Sequence, residues 1–174
     1  MITCPVRAAL TARVPELANG SVEIIAVARE PGLLAKVAVR SRVRGINAVA
    51  VCIGWGGLRI ADVEKRLCGE HVSIIAYDSD TARYVINALG IKSAIAEVIN
   101  PEQRRIRVYV NPDDYARALG KVGHNLRLVR QLTSCSIHIR TATGAHRAPH
   151  ACTTRQLPPI PVTERQPNER KHPV

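Results

Sequence analysis

Two glycine-punctuated loops set 66 residues apart constrain the fold of this chain more than any other feature. Ile53-Gly54-Trp55-Gly56-Gly57-Leu58-Arg59 and Leu119-Gly120-Lys121-Val122-Gly123-His124-Asn125 share a Gly-x-x-Gly core, and their flanks correspond as well. Ahead of each lies a Val/Ile-rich stretch with interleaved charges, residues 34–40 and 105–110, which predicts a strand. A short helical run then enters each loop, residues 47–53 and 112–119. The second opens Asn111-Pro112-Asp113-Asp114, a cap residue, a proline and two acids suited to a first helical turn. Behind the loops, Ile60, Val63 and Leu67 and then Leu126, Val129 and Leu132 fall at helical spacing. Gly69 stands as a C-terminal cap for the first of these, and alternation at 72–76 and 136–140 predicts a closing strand in each copy. Further helix-like and strand-like pieces precede both, at 6–17 and 22–29 and again at 81–89 and 94–99. Each copy therefore reads α-β-β-α-α-β.

Two glycines three apart let a backbone turn tightly with no Cβ in the way. The following helix offers unpaired N–H groups and the positive end of its dipole at that turn, a place that accepts phosphate. One such tetrapeptide is weak evidence. Two at a fixed offset, each between helical runs and after a strand, form the arrangement of a KH domain, whose loop clamps about four single-stranded nucleotides.

Charge agrees with that reading. The 174 residues carry 25 Lys+Arg against 14 Asp+Glu, a net +11, which points to an acidic partner. Twenty of the cations are Arg, the better fork for phosphate and the better stacking plane. Residues 141–174 hold six of the eleven prolines and little apolar periodicity, and are expected to be a flexible tail of net charge +3. Residues 1–140 keep +8, so the folded part is basic in its own right. Five scattered cysteines without a Cys-x-x-Cys pair do not make a disulfide framework, and reduced thiols in the cytoplasm are expected. The longest apolar run, residues 48–53, is far too short to span a bilayer, and no secretion signal is read at the N-terminus.

The residues also resemble a known family. Val14-Pro15-Glu16-Leu17-Ala18-Asn19-Gly20, Val22-Glu23-Ile24, Ala26-Val27-Ala28-Arg29-Glu30-Pro31-Gly32, Lys36-Val37-Ala38-Val39, Cys52-Ile53-Gly54 and Gly57-Leu58-Arg59 look like a first KH domain of the NusA family of bacterial transcription factors. Tyr84-Val85-Ile86-Asn87-Ala88-Leu89, the run from Ala118 to Leu128, and Gln131-Leu132-Thr133 are similar to its second. The resemblance implies an α+β fold of two tandem type II KH domains, here 1–78 and 79–140. It implies binding of single-stranded nascent RNA in transcription elongation, pausing, termination and antitermination, contact with RNA polymerase or other transcription factors, and no catalytic residue. Family members carry a polymerase-binding domain and an S1 domain ahead of the KH pair. Here Met1 stands almost at the first KH helix, so RNA binding is the property carried over.

The RNA-binding residues expected are Gly54, Trp55, Gly56, Gly57 and Arg59 in the first copy and Gly120, Lys121, Val122, Gly123, Asn125 and Arg127 in the second. The first loop departs from the family, which places a cation where Trp55-Gly56 stands. Trp55 can stack on a base or lie on its own domain, and the second loop, with Lys121, is expected to bind more firmly. Arg59 is read as holding the place that Arg127 and Arg130 hold after the second loop. Arg104, Arg105 and Arg107 extend the RNA track or protect a sheet edge. Asp113 and Asp114 are helix-start acids. His146, His150 and Cys152 have ligand-like spacing but lack a fourth partner, so no metal or other cofactor is expected. The short connection at 77–80 favours two packed domains with one RNA track, in a chain expected to be a monomer without membrane contact.

Rival classes fit less well. No phosphate loop ending Gly-Lys-Ser/Thr and no dinucleotide fingerprint occurs. A sheet-based aromatic RNA binder is a poor match to a chain with no Phe. The alternative that stands is a degenerate KH pair serving as a protein–protein module on RNA polymerase or the ribosome.

Overall fold

The computed structural model describes residues 4–142. The chain runs α1 (Pro5–Arg13), α2 (Pro15–Ala18), β1 (Val22–Glu30), β2 (Leu34–Ser41), α3 (Ala48–Ile53), α4 (Leu58–Arg66), β3 (His71–Ala76), α5 (Thr81–Leu89), β4 (Ile95–Asn100), β5 (Arg105–Val110), α6 (Pro112–Leu119), α7 (His124–Thr133) and β6 (Ser136–Thr141). A single 3₁₀ turn bridges α3 to α4 and another bridges α6 to α7. The tail expected from 141 onward, with His146, His150 and Cys152, lies outside the described residues except for its first two.

The fold is α+β, with two three-stranded sheets ordered β1-β2-β3 and β4-β5-β6. In each, the first two strands pair antiparallel and the third joins parallel. The helix expected over 6–17 is two helices. Val14 is extended (φ −116°, ψ 100°) because it precedes Pro15, and Pro15 restarts the helix at its first position. The repeat extends to the helix ends: Cys68 (φ 58°) and Ser134 (φ 53°), again 66 apart, both sit left-handed just beyond α4 and α7.

The first sheet is covered on both faces, and β2 shows how. Ala35, Val37 and Val39 point to a core with Val6, Leu10, Cys52 and Val63 from α1, α3 and α4. Ala38, with Leu34, joins a second core containing Tyr84, Val85, Ala88, Leu128, Val129 and Ile137. The outer face of the first sheet is thus packed against α5 and α7 of the second unit. Lys36 belongs to that covered face. The sequence reads it as one of the interleaved charges of a strand; in the structure it is 5% exposed and donates from Nζ to the carbonyl of Ala88, 2.7 Å away. Asn87 Nδ2 donates to the carbonyl of Ala76 at 3.1 Å, and the Tyr77 and Tyr84 rings meet edge-on at 5.1 Å. The outer face of the second sheet carries exposed Ile95, Glu97, Arg105 and His138.

Candidate nucleic-acid interface

Each loop follows from the helix that ends at it. Asn47 accepts hydrogen bonds from the N–H groups of Val49 and Ala50, capping α3. Pro112 occupies the first turn of α6, where its missing N–H costs nothing. α3 and α6 stop at Gly54 and Gly120, whose N–H groups donate to the carbonyls of Ala50 (2.8 Å) and Ala116 (2.9 Å). Gly57 and Gly123 then donate to Gly54 and Gly120, both at 3.1 Å.

The two backbones are nearly superposable. Gly54 and Gly120 lie at φ 77°, ψ 170° and φ 72°, ψ 171°, a region open to glycine almost alone. A Cβ there would also collide, at 2.7 Å from Cγ of Arg59 in the first loop and 2.6 Å from Cβ of Asn125 in the second. Gly57 and Gly123 are left-handed (φ 78° and 75°) and stand at the N-termini of α4 and α7, which no side chain caps. Both helix starts therefore set the positive end of a helix dipole beside a close-approach glycine turn, the geometry that receives an anion.

The third loop position differs. Gly56 sits at φ 57° and Val122 at φ 53°, a conformation costly for a β-branched residue. Val122 is also 83% exposed, so no packing offsets the strain. Val122→Gly is expected to raise the unfolding free energy by about 1 kcal/mol, read as a higher urea midpoint with an unchanged slope. A lower midpoint would show that the loop does not hold this conformation.

The 66-residue offset pairs Arg59 with Asn125, which corrects the pairing of Arg59 with Arg127. Both side chains turn back onto the helix before the loop. Arg59 Nη1 donates to the carbonyl of Val51 (2.8 Å) and to Glu16 (3.0 Å). Asn125 Nδ2 donates to the carbonyls of Ala118 (3.0 Å), Arg117 (3.3 Å) and Leu89 (3.3 Å). Each fixes the angle between the two helices that frame its loop, and the glycine opposite leaves room for it.

The side chains facing outward differ in kind. Trp55 is 90% exposed and Leu58 is 66% exposed, and with Ala50, Val51, Asn47, Arg59 and Glu16 they line an open groove. In the second loop the same positions hold Lys121, exposed, and His124, partly buried. Arg127, one turn along α7, donates to Glu30 at 2.8 Å, and His124 Nδ1 lies 2.6 Å from the same carboxylate. These partners hold the Glu30 carboxyl below its usual range, His124 contributing most. Glu30 belongs to β1, so the first unit reaches the start of the second unit's post-loop helix.

Several of the remaining candidates have structural partners. Arg130 donates to the carbonyl of Ile137 at 2.5 Å. Asp114 accepts from Ser93 and pairs with Arg117, while Asp113 stands in the first turn of α6. Arg105 and Arg107 lie on β5, the central strand of its sheet, so the cluster does not guard an edge. Arg104 Nη2 donates to the carbonyl of Thr133 at 3.4 Å. Among the described residues, no three His, Cys, Asp or Glu side chains converge on a metal position, and no helix is long and apolar enough to cross a membrane. Glu16, Glu30 and Lys36 were missed as tertiary partners because nothing local distinguishes them from surface charges.

Known proteins bear directly on this geometry. The NusA-like first KH domain family matches residues 5–77, and the NusA-like second KH domain family matches residues 81–147. The chain is 47% identical over 136 residues to the transcription termination/antitermination protein NusA of Mycobacterium tuberculosis, covering 78% of this chain and 39% of that protein. It is 40% identical over 133 residues to the protein of the same name from Thermus thermophilus, covering 76% and 34%. The chain thus spans well under half the length of these relatives. The crystal structure of APE1850 shares the fold, with a TM-score of 0.54 at 24% identity, over 78% of this chain and 95% of that one.

Proposed function

Because this chain belongs to the NusA-like KH family, with a first and a second KH domain in tandem, we propose that it binds single-stranded nascent RNA during transcription elongation, pausing, termination and antitermination. One observation carries the reading most: two nearly superposable glycine loops, each at an uncapped helix N-terminus, on a body of net charge +8. Gly54, Gly56, Gly57, Gly120 and Gly123 give close backbone approach, and Lys121 supplies the phosphate charge. Arg127, exposed beside its Glu30 partner, extends the charge along α7. Trp55 and Val122 are the exposed tips, and Arg59 and Asn125 hold the loops in shape. The packed junction of α5 and α7 on the first sheet supports a single track across both domains. Polymerase and other transcription factors are the expected protein partners, with the chain itself a cytoplasmic monomer.

The test is titration of single-stranded RNA at several salt concentrations, for the wild type and for Lys121→Asp/Val122→Asp. Both positions are exposed, and Asp tolerates a left-handed backbone better than Val, so the fold is preserved. Changing Gly120 would instead collide with Asn125. The wild type is expected to lose affinity steeply with salt, and the variant to bind at least tenfold more weakly. Wild-type binding that is absent or indifferent to salt rejects the RNA clamp, and crosslinks to protein but not to nascent RNA in a purified transcription complex then decide for the protein–protein module.

A further inference from the structure

We propose that the first loop grips RNA by stacking an unpaired base on Trp55, while the second holds it by phosphate charge. The inference rests on the RNA-binding reading above and assigns a different chemistry to each loop. Its starting point is that the two loops share a backbone but not a surface. Gly54, Gly56 and Gly57 repeat the angles of Gly120, Val122 and Gly123 within about ten degrees, so close approach of a strand is equally open at both. At the paired outward positions the second loop has Lys121 and His124, and the first has Trp55 and Leu58.

The first loop also lacks a substitute cation among the residues of its groove. Arg59, the guanidinium in that lining, is tied to Glu16 and to the carbonyl of Val51. Glu16 itself lines the groove and places a negative charge there. A groove whose acidic wall already engages its cation is a poor primary phosphate site. Its other walls are Ala50, Val51 and Leu58, and its volume of about 480 Å³ accommodates a nucleobase. Trp55, itself part of the lining, is 90% exposed, so its ring is open to a stacking partner. Aromatic stacking on bases is sequence-tolerant and substantial. A protein segment could use the same ring, but the loop angles shared with the second copy serve a backbone that approaches glycine, which favours the nucleic acid.

Trp55 is the one tryptophan of the chain, so its emission reports this loop alone. The experiment uses the full chain and a pool of end-labelled RNAs about 12 nucleotides long, of randomised sequence, long enough to cross more than one loop footprint. Label anisotropy reads binding anywhere on the protein, and tryptophan emission reads stacking at the first loop. Binding is expected to quench Trp55 in step with the rise in anisotropy. Trp55→Leu should weaken binding roughly tenfold with its salt dependence unchanged, and Trp55→Tyr should restore most of the loss. Lys121→Ala should lower the salt slope by about one while quenching persists. Saturating anisotropy with unchanged emission, or full affinity in Trp55→Leu, overturns the stacking inference and leaves RNA binding intact. Loss of all anisotropy change in the wild type overturns the RNA reading, and this inference with it.

Discussion

Glu70→Gln is expected to lower the unfolding free energy by about 3 kcal/mol, more than any surface substitution in this chain. Glu70 lies just ahead of β3 and is 1% exposed. Its carboxylate accepts from Arg29 Nε at 2.8 Å, from Arg29 Nη2 at 2.9 Å, and from the N–H of Gly32 at 2.9 Å. One buried group thus fastens the end of β1, the β1–β2 turn and the start of β3. Glutamine preserves the shape and can still accept from Gly32. Its amide N–H₂ then faces the guanidinium, donor against donor, and Arg29 loses its counter-charge where it is only a quarter exposed.

Arg29 also sets the pH dependence, because it holds the Glu70 carboxyl below its usual range, with the Gly32 N–H assisting. The stabilisation is fully present above the ordinary carboxylate pKa and fades as pH falls through the depressed one. Glu70→Gln should therefore lose less stability than the wild type on acidification. Urea unfolding at about pH 7 and about pH 4 measures both effects. A loss at neutral pH below about 1 kcal/mol, or acid limbs that run parallel, would remove the pair from the account of stability.

The legible parts of this fold were those written in periodicity and turn chemistry. Every strand and every helix near the loops is announced by spacing, and the 66-residue offset of the glycines organises them before any contact is known. The same offset identifies Arg59 with Asn125, but residue type obscures the match, because a guanidinium and a carboxamide do the same work on the preceding helix. What spacing cannot express is the second face of the first sheet. Alternation in β2 puts Lys36 on a polar side, and only the docking of α5 and α7 turns that side into an interior. Glu30 and Glu70 illustrate the same limit: both end local segments as ordinary acids, and their partners are 38 to 97 residues away. At the candidate site, glycine positions were visible because backbone geometry is local. The commitment of Arg59 to Glu16 was not, since it depends on how α2 meets α4.

The buried Lys36 yields the second large effect, a rise in stability at alkaline pH with a defined source. Burial pushes its pKa down from the usual 10.5 to about 8. Between those values the unfolded chain binds the proton that the folded chain has released, so stability climbs by about 3 kcal/mol across the interval. Cys52 opposes it. Its thiol is fully buried, and desolvation, with Glu16 adding to it, raises the pKa from 9.0 to about 11. Above about pH 9 the unfolded thiol ionises while the folded one cannot, and stability falls by a similar amount over about two units. Tyr84, likewise pushed upward by burial, adds a loss above its ordinary pKa of 10.0. The wild type should then gain from about pH 8 to about pH 9 and hold nearly level to about pH 10, before declining. Lys36→Met should lack the gain and decline from about pH 9, whereas Cys52→Ala should keep rising to about pH 10. Urea midpoints for the three chains at about pH 7.5, 9 and 10 separate the contributions, because each variant's constant packing cost cancels from its own pH slope. Wild-type and Lys36→Met curves that run parallel over that range would mean that Lys36 remains charged against the carbonyl of Ala88. In that event the α5 C-terminus, where the helix dipole favours a cation, outweighs the desolvation of the ammonium.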